Sequence, residues 1–285
     1  MHHVIAPVVD AALLETLSQA DRPVVIADVR WYLDGRDGRA AYEAAHLPGA
    51  VWVDLEHALA GHGRPATEGR HPLPTPDLFA AAMGQMGIGD DTIVVAYDDA
   101  GGITAGRMVV MLRMLGRDAA LLNGGLPAWV ADGRPVHSGP GRTPTPAVFT
   151  PADWPAERLA SAEATAAHAR TGGAVLDARS AERFTGAVTL IDPRPGHIPG
   201  ARNAPWTAVL GADSRLLPTQ ELLAHFRTLG ANQPDAEPIA YCGSGVSACM
   251  NIIAMEHVGL TPPRLYVASF SGWSADPQHD VELGD

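Results

Sequence analysis

The sequence predicts an α/β protein of two similar domains, each a mostly parallel sheet flanked by helices. Three observations carry this. One motif set occurs twice along the chain. Within each copy, short runs rich in Val and Ile alternate with longer segments of helical period. Between the copies lies SGPGRTPTPAVFTPADWP, Ser138 to Pro155, too dense in Pro, Gly and Thr for a helix or a central strand. A chain of 285 residues has room for two ordinary cores. The expected boundaries are residues 1–137 for the first domain, 138–158 for the linker and 159–285 for the second domain.

The repeated elements follow in order. The first copy opens on VVIADVRWY (Val24 to Tyr32), an apolar strand ending in Asp-x-Arg. A variable loop then leads to HLPGA (His46 to Ala50). The second opens on AVLDARSAE (Ala174 to Glu182) and reaches HIPGA (His197 to Ala201). Further on, TIVVAYDDAGGITAGRMVVMLRMLG (Thr92 to Gly116) is set without gaps against EPIAYCGSGVSACMNIIAMEHVG (Glu237 to Gly259), so that Tyr97 meets Tyr241 and Asp98 meets Cys242. Trp129 and Trp273 fall at the same offset of 144 residues as the two tyrosines. Chance rarely holds register that far.

Composition narrows the function. A formal charge of −12 argues against attraction to nucleic acid or to anionic lipid, which depends on concentrated Lys and Arg. No stretch approaches the ~20 apolar residues that cross a bilayer, and the start lacks a basic region followed by a long apolar run. The expectation is a cytoplasmic protein acting on a small molecule. Two cysteines, Cys242 and Cys249, are too few and wrongly spaced for a disulfide framework or a Cys-x-x-Cys site. His2 and His3 at the terminus read as solvated residues, and no metal or organic cofactor is expected.

Cys242 is the candidate nucleophile. An apolar strand, Pro238 to Tyr241, ends at Cys242-Gly243-Ser244-Gly245-Val246-Ser247, and Ala248 to His257 reads as a helix. The cysteine therefore sits at the carboxyl edge of a sheet, where α/β folds place ligands. Gly243 and Gly245 let the backbone curl so that successive N–H groups converge beside a helix N-terminus, which favours the anionic form of a thiol placed there. A small core residue is the bland reading of a cysteine at a strand end. Asp98 at the same place in the first copy weighs against it, because an unpaired buried carboxylate is costly. Two look-alikes fail. Gly243-x-Gly245-x-x-Ala248 fits a dinucleotide fingerprint, but the acidic residue expected about twenty positions on is missing at Ala268, Ser269 and Phe270. A cysteine phosphatase loop needs an Arg where this chain has Ala248.

The tandem copies, the HLPGA and HIPGA pair and CGSGVS together resemble the rhodanese-type sulfurtransferases over nearly the whole chain. CGSGVS is similar in particular to the active loop of 3-mercaptopyruvate sulfurtransferases, differing at Ser247, where that family usually has Thr. The resemblance implies an inactive first domain and a catalytic second one. There Cys242 takes a sulfur atom as a persulfide, and Gly243, Gly245, Val246 and Ser247 form the loop that receives substrate. Relatives specific for thiosulfate carry cationic residues straight after the cysteine, whereas Gly243 and Ser244 are neutral. The implied donor is 3-mercaptopyruvate, its carboxylate and carbonyl gripped by Arg183 and Arg194, since a guanidinium fork matches a carboxylate. The loop before His197 is, however, shorter than in those relatives. The resemblance also implies a Ser-His-acid proton relay of Ser244, His71 and Glu56, the last standing where the family more often has Asp. Acceptors would be cyanide, thioredoxin or another thiol. Thiosulfate as donor, or a catalytically silent sulfur-carrier or interaction module, are the alternatives. Cys249 reads as core, and His46 and His197 as residues that fix the repeated turns.

Overall fold

The computed structural model describes residues 5–19, 21–189, 191–233 and 236–284; His2 and His3 lie outside them. The chain divides into two units, one of Met1–Ala60, Pro74–Trp154 and Gly211–Leu216, the other of Gly61–Leu73, Pro155–Leu210 and Leu217–Asp285. Each unit thus includes a short segment from the other's stretch of sequence.

The first unit runs β1 (Val8–Val9), α1 (Ala11–Leu17), β2 (Val24–Asp28), α2 (Gly38–Ala44), β3 (Val51–Trp52), α3 (Leu55–Ala58), α4 (Pro76–Gln85), β4 (Ile93–Tyr97), α5 (Ala105–Met114), β5 (Ala119–Leu122) and α6 (Gly125–Ala131). Its five strands lie in the order β1-β5-β4-β2-β3, every pair parallel. A parallel sheet needs helical crossovers that cover its faces, and β4 (IVVAY) is accordingly buried along its whole length. Helix starts follow local chemistry. Asp10, Asp37, Asp54 and Thr75 each accept a backbone N–H of the first turn of α1 to α4, and Pro76 opens α4.

The second unit runs α7 (Ala162–Arg170), β6 (Val175–Asp177), α8 (Ala181–Phe184), β7 (Arg202–Asn203), α9 (Thr219–Thr228), β8 (Ile239–Tyr241), α10 (Ala248–His257), β9 (Arg264–Leu265) and α11 (Ser269–Ala275). Its strands lie in the order β7-β6-β8-β9, again all parallel. Val175, Ile239, Tyr241, Phe270 and Trp273 form its core. β8, a central strand, delivers its C-terminal end to Cys242.

The expected linker is largely exposed, with Phe149 buried, and is tied down by contacts near its end. Phe149 meets the Phe79 ring edge-on at 5.7 Å, Trp154 Nε1 donates to Pro74 O, and Thr150 binds the Asp90 carboxylate. The gapless register between the copies also needs correction. α5 begins eight residues after Tyr97 and α10 seven after Tyr241, so the loop after β4 is one residue longer. Gly101 and Gly102 both take positive φ there, against Gly245 alone in the second loop. The offset of 144 is restored by α6 and α11.

The repeated turns share one physical device. His46 and His197 each bond a backbone carbonyl through Nδ1, of Tyr42 and Phe184, and stack on the same residue's ring. The N–H after each histidine donates to the hydroxyl of Tyr97 or Tyr241. These histidines hold loops.

Candidate active site

Cys242 follows β8 directly and is 2% exposed. Gly245 takes φ +75°, which turns the chain back toward α10. Gly243 serves differently: a Cβ built on it would stand 2.8 Å from Arg70 Nη2 and 2.9 Å from Arg183 Nη2. Two guanidinium groups thus close over the residue next to the thiol. Val246 is buried, and Ser247 precedes α10 without bonding its first turn through the side chain.

The first unit shows what such a loop does with an anion. Asp98 Oδ1 accepts the N–H groups of Ala100 and Gly102; Oδ2 accepts those of Thr104 and Ala105 and the Thr104 hydroxyl. All five lie between 2.8 and 3.0 Å. Four main-chain amides converge on a negative side chain at the position that Cys242 occupies in the other copy.

The cations around Gly243 are organised by Asp192. Its Oδ1 accepts from Arg70 Nη1 at 2.8 Å, its Oδ2 from Arg183 Nη2, and Arg179 Nη1 lies 3.5 Å from Oδ2. Burial raises the cost of charge on Asp192, but the hydrogen bond from Arg70 and the charge of Arg183 outweigh it and hold the carboxyl below its usual range. Arg179 is committed elsewhere, forked onto Asp177 and seated 3.9 Å over the Phe270 ring. Arg70, Arg179 and Arg183 against Asp177 and Asp192 leave one net positive charge. Arg183 Nε is buried and has no hydrogen-bond partner among the described residues. An anionic ligand would balance this charge and supply that acceptor.

Arg194 lies at a helix end, whereas the expectation had it beside Arg183. Its guanidinium donates to the carbonyls of Trp273, Ser274 and Asp276, and so caps the C-terminal end of α11. The loop before His197 places Asp192 at the site and Arg194 at the helix end. Arg70, which spacing does not single out, is the cation beside Arg183. Its adjacency to His71 is the one signal the sequence offers for it.

His71 and Ser244 are brought together, with Nδ1 to Oγ at 2.8 Å and both residues buried. Segment Gly61–Leu73 owes this placement to small residues. A Cβ on Gly272 would meet Thr67 O at 2.5 Å, and one on Gly69 would meet Ala268 O at 2.4 Å. Ser271 joins the parts, its N–H donating to Gly243 O and its Oγ accepting from Arg70 N. Glu56 belongs to the first unit, in α3, where its N–H donates to Asp54 Oδ1. Cys249 is wholly buried in α10, its thiol 3.5 Å from Gly245 O.

Comparison with known proteins agrees with this architecture. The rhodanese-like domain model matches residues 10–132 and 161–276. A Pseudomonas aeruginosa protein named probable 3-mercaptopyruvate sulfurtransferase is 41% identical over 281 residues, covering 96% of each chain. A Mycobacterium tuberculosis protein, SseB, carrying a thiosulfate sulfurtransferase name, is 40% identical, covering 97% of this chain and 96% of its own. Among solved structures, the 3-mercaptopyruvate sulfurtransferase from Leishmania major superposes with a TM-score of 0.82 at 31% identity, over 96% of this chain and 76% of that one. With two matched regions spanning most of its residues, one for each parallel sheet, the chain belongs to the rhodanese-like family as a tandem, two-domain member.

Proposed function

We propose that the chain is a sulfurtransferase that takes sulfur from 3-mercaptopyruvate onto Cys242 and passes it to a thiol or to cyanide. The observation that supports this most directly is the pair of guanidinium groups, Arg70 and Arg183, at Gly243, next to a thiol that ends a central strand. One carboxylate held there would leave the donor's sulfur facing Cys242. The relatives' names divide between mercaptopyruvate and thiosulfate. Two arginine tips close to one point at Gly243, with the neutral Gly243 and Ser244 after the thiol, support the former.

In the first step the Cys242 thiolate attacks the donor sulfur. The S–S bond forms, the C–S bond breaks, and its electron pair passes to carbon as the enolate of pyruvate. The donor's thiol proton ends on that carbon, leaving pyruvate and a persulfide anion with charge conserved. Ser244 and His71 would polarise the carbonyl and carry the proton. In the second step cyanide attacks the outer sulfur and leaves as thiocyanate, or a dithiol such as thioredoxin takes it, becoming a disulfide and releasing hydrogen sulfide. Loop amides arranged as they are around Asp98 would hold the persulfide anion. Two free thiols suit a reducing compartment, the cytoplasm. No helix among the described residues is long and apolar enough to cross a membrane.

Intact-mass measurement after exposure to 3-mercaptopyruvate tests the reading. A gain of one sulfur atom, lost in Cys242→Ser, is expected. No gain with mercaptopyruvate alongside a gain with thiosulfate would transfer the assignment to thiosulfate, and no gain with either would leave a silent carrier module.

A further inference from the structure

Ser269 opens α11 with φ +53°, a left-handed conformation that side chains other than glycine's rarely adopt, and it is fully buried. Its hydroxyl accepts from Cys242 N at 3.1 Å and donates to Tyr266 O at 2.9 Å. With its single hydrogen given to Tyr266, the hydroxyl turns a lone pair to the cysteine's amide. Gly125 stands at the same offset in the first copy, also left-handed at φ +56°. A Cβ there would lie 2.3 Å from Asp98 O, so that turn admits no side chain. Where the cysteine replaces the aspartate, the turn admits one and carries it in a conformation glycine would adopt more easily.

We infer that Ser269 is a positioning residue for Cys242, retained against its backbone preference for the bond its hydroxyl makes. The physical need is specific to sulfur. Asp98 orients itself through five hydrogen bonds made by its own carboxylate. A thiol is a weak donor and a weak acceptor and cannot do this. The direction of Sγ must then be imposed through the main chain. The Ser269 hydroxyl anchors the N–H from which the cysteine departs, while Phe270 N anchors its carbonyl at 2.9 Å. Held at both ends, Cys242 presents its sulfur to the loop amides in one orientation. The inference rests on the proposed role of Cys242 as sulfur carrier.

Two variants separate the hydroxyl from the backbone. Ser269→Gly removes the hydroxyl and relieves the left-handed strain; Ser269→Ala removes the hydroxyl and keeps the strain. The donor-free readout is the pH profile of Cys242 alkylation, followed by peptide mass. The second readout is the rate of sulfur loading from 3-mercaptopyruvate, and thermal stability is recorded beside both. Both variants are expected to move the alkylation profile in the same direction. Both are expected to slow loading about tenfold with the donor KM nearly unchanged, although Ser269→Gly melts above Ser269→Ala. Wild-type profile and rate in Ser269→Gly would overturn the inference, and so would defects that track melting temperature across the pair. Failure of the wild type to load sulfur would count against the proposed function, while the alkylation profiles would still decide the role of Ser269.

Discussion

Removing Arg70 and Arg183 singly and together tests the site most directly. Each guanidinium is fixed to Asp192 by a single nitrogen, Nη1 of Arg70 and Nη2 of Arg183, which leaves the remaining N–H groups to face a ligand above Gly243. A hydrogen bond to a charged group contributes about 1.5–3 kcal/mol, so either alanine variant is expected to lower kcat/KM for 3-mercaptopyruvate by about 10- to 150-fold. Both tips lie within 3 Å of one Cβ position at Gly243, so they would serve one carboxylate. The double variant should then lose less than the product of the single losses. Asp192 keeps at least one cationic partner in every variant, so the fold should survive. The assay is pyruvate release, with sulfite release from thiosulfate as comparison and Arg194→Ala as control. Arg194→Ala should lower thermal stability, through the freed end of α11, without changing donor kinetics. The reasoning is refuted if Arg70→Ala stays within twofold of wild type with mercaptopyruvate, or if the two losses multiply fully.

Two further outcomes follow from the charges described. Asp98→Asn sets an NH2 group against donors that now meet a carboxylate, and should cost about 2–4 kcal/mol of stability while leaving sulfur loading per folded molecule unchanged. Chemical denaturation and the mass assay check the two halves of that statement. Asp192, held below the usual carboxylate range, contributes stability that is complete above that range and disappears as pH falls through its own lower value. The melting-temperature gap between wild type and Asp192→Asn should therefore be constant from neutrality to about pH 5 and close below about pH 4; a gap that widens on acidification would sink the assignment.

Much of the fold is legible in the sequence because repetition and periodicity are local properties. Strands such as IVVAY and IAY, the paired His-x-Pro-Gly-Ala turns and the loop at Cys242 each announce themselves within a few residues. The features that sequence reasoning misplaces depend on where distant segments come to lie. Arg194 stands close to Asp192 in sequence, yet one goes to the helix end and the other to the arginines. Arg70 reaches Gly243 only because Gly69 and Gly272 let two backbones approach closely, a fit that no spacing rule encodes. The extra residue in the loop after β4 is hidden because the offset returns to 144 before the tryptophans. Ser269 carries no signal in the sequence because its meaning lies in a backbone angle.

The exchange of short segments between the units has a bearing on how this molecule can be dissected. The thiol-bearing unit takes both Arg70 and His71 from Gly61–Leu73, encoded ahead of the other unit's α4. A gene cut after Trp154 would therefore yield a C-terminal product with its nucleophile but neither of those side chains. Trimming away the first copy would thus remove two side chains of the proposed site from the half that was meant to be kept.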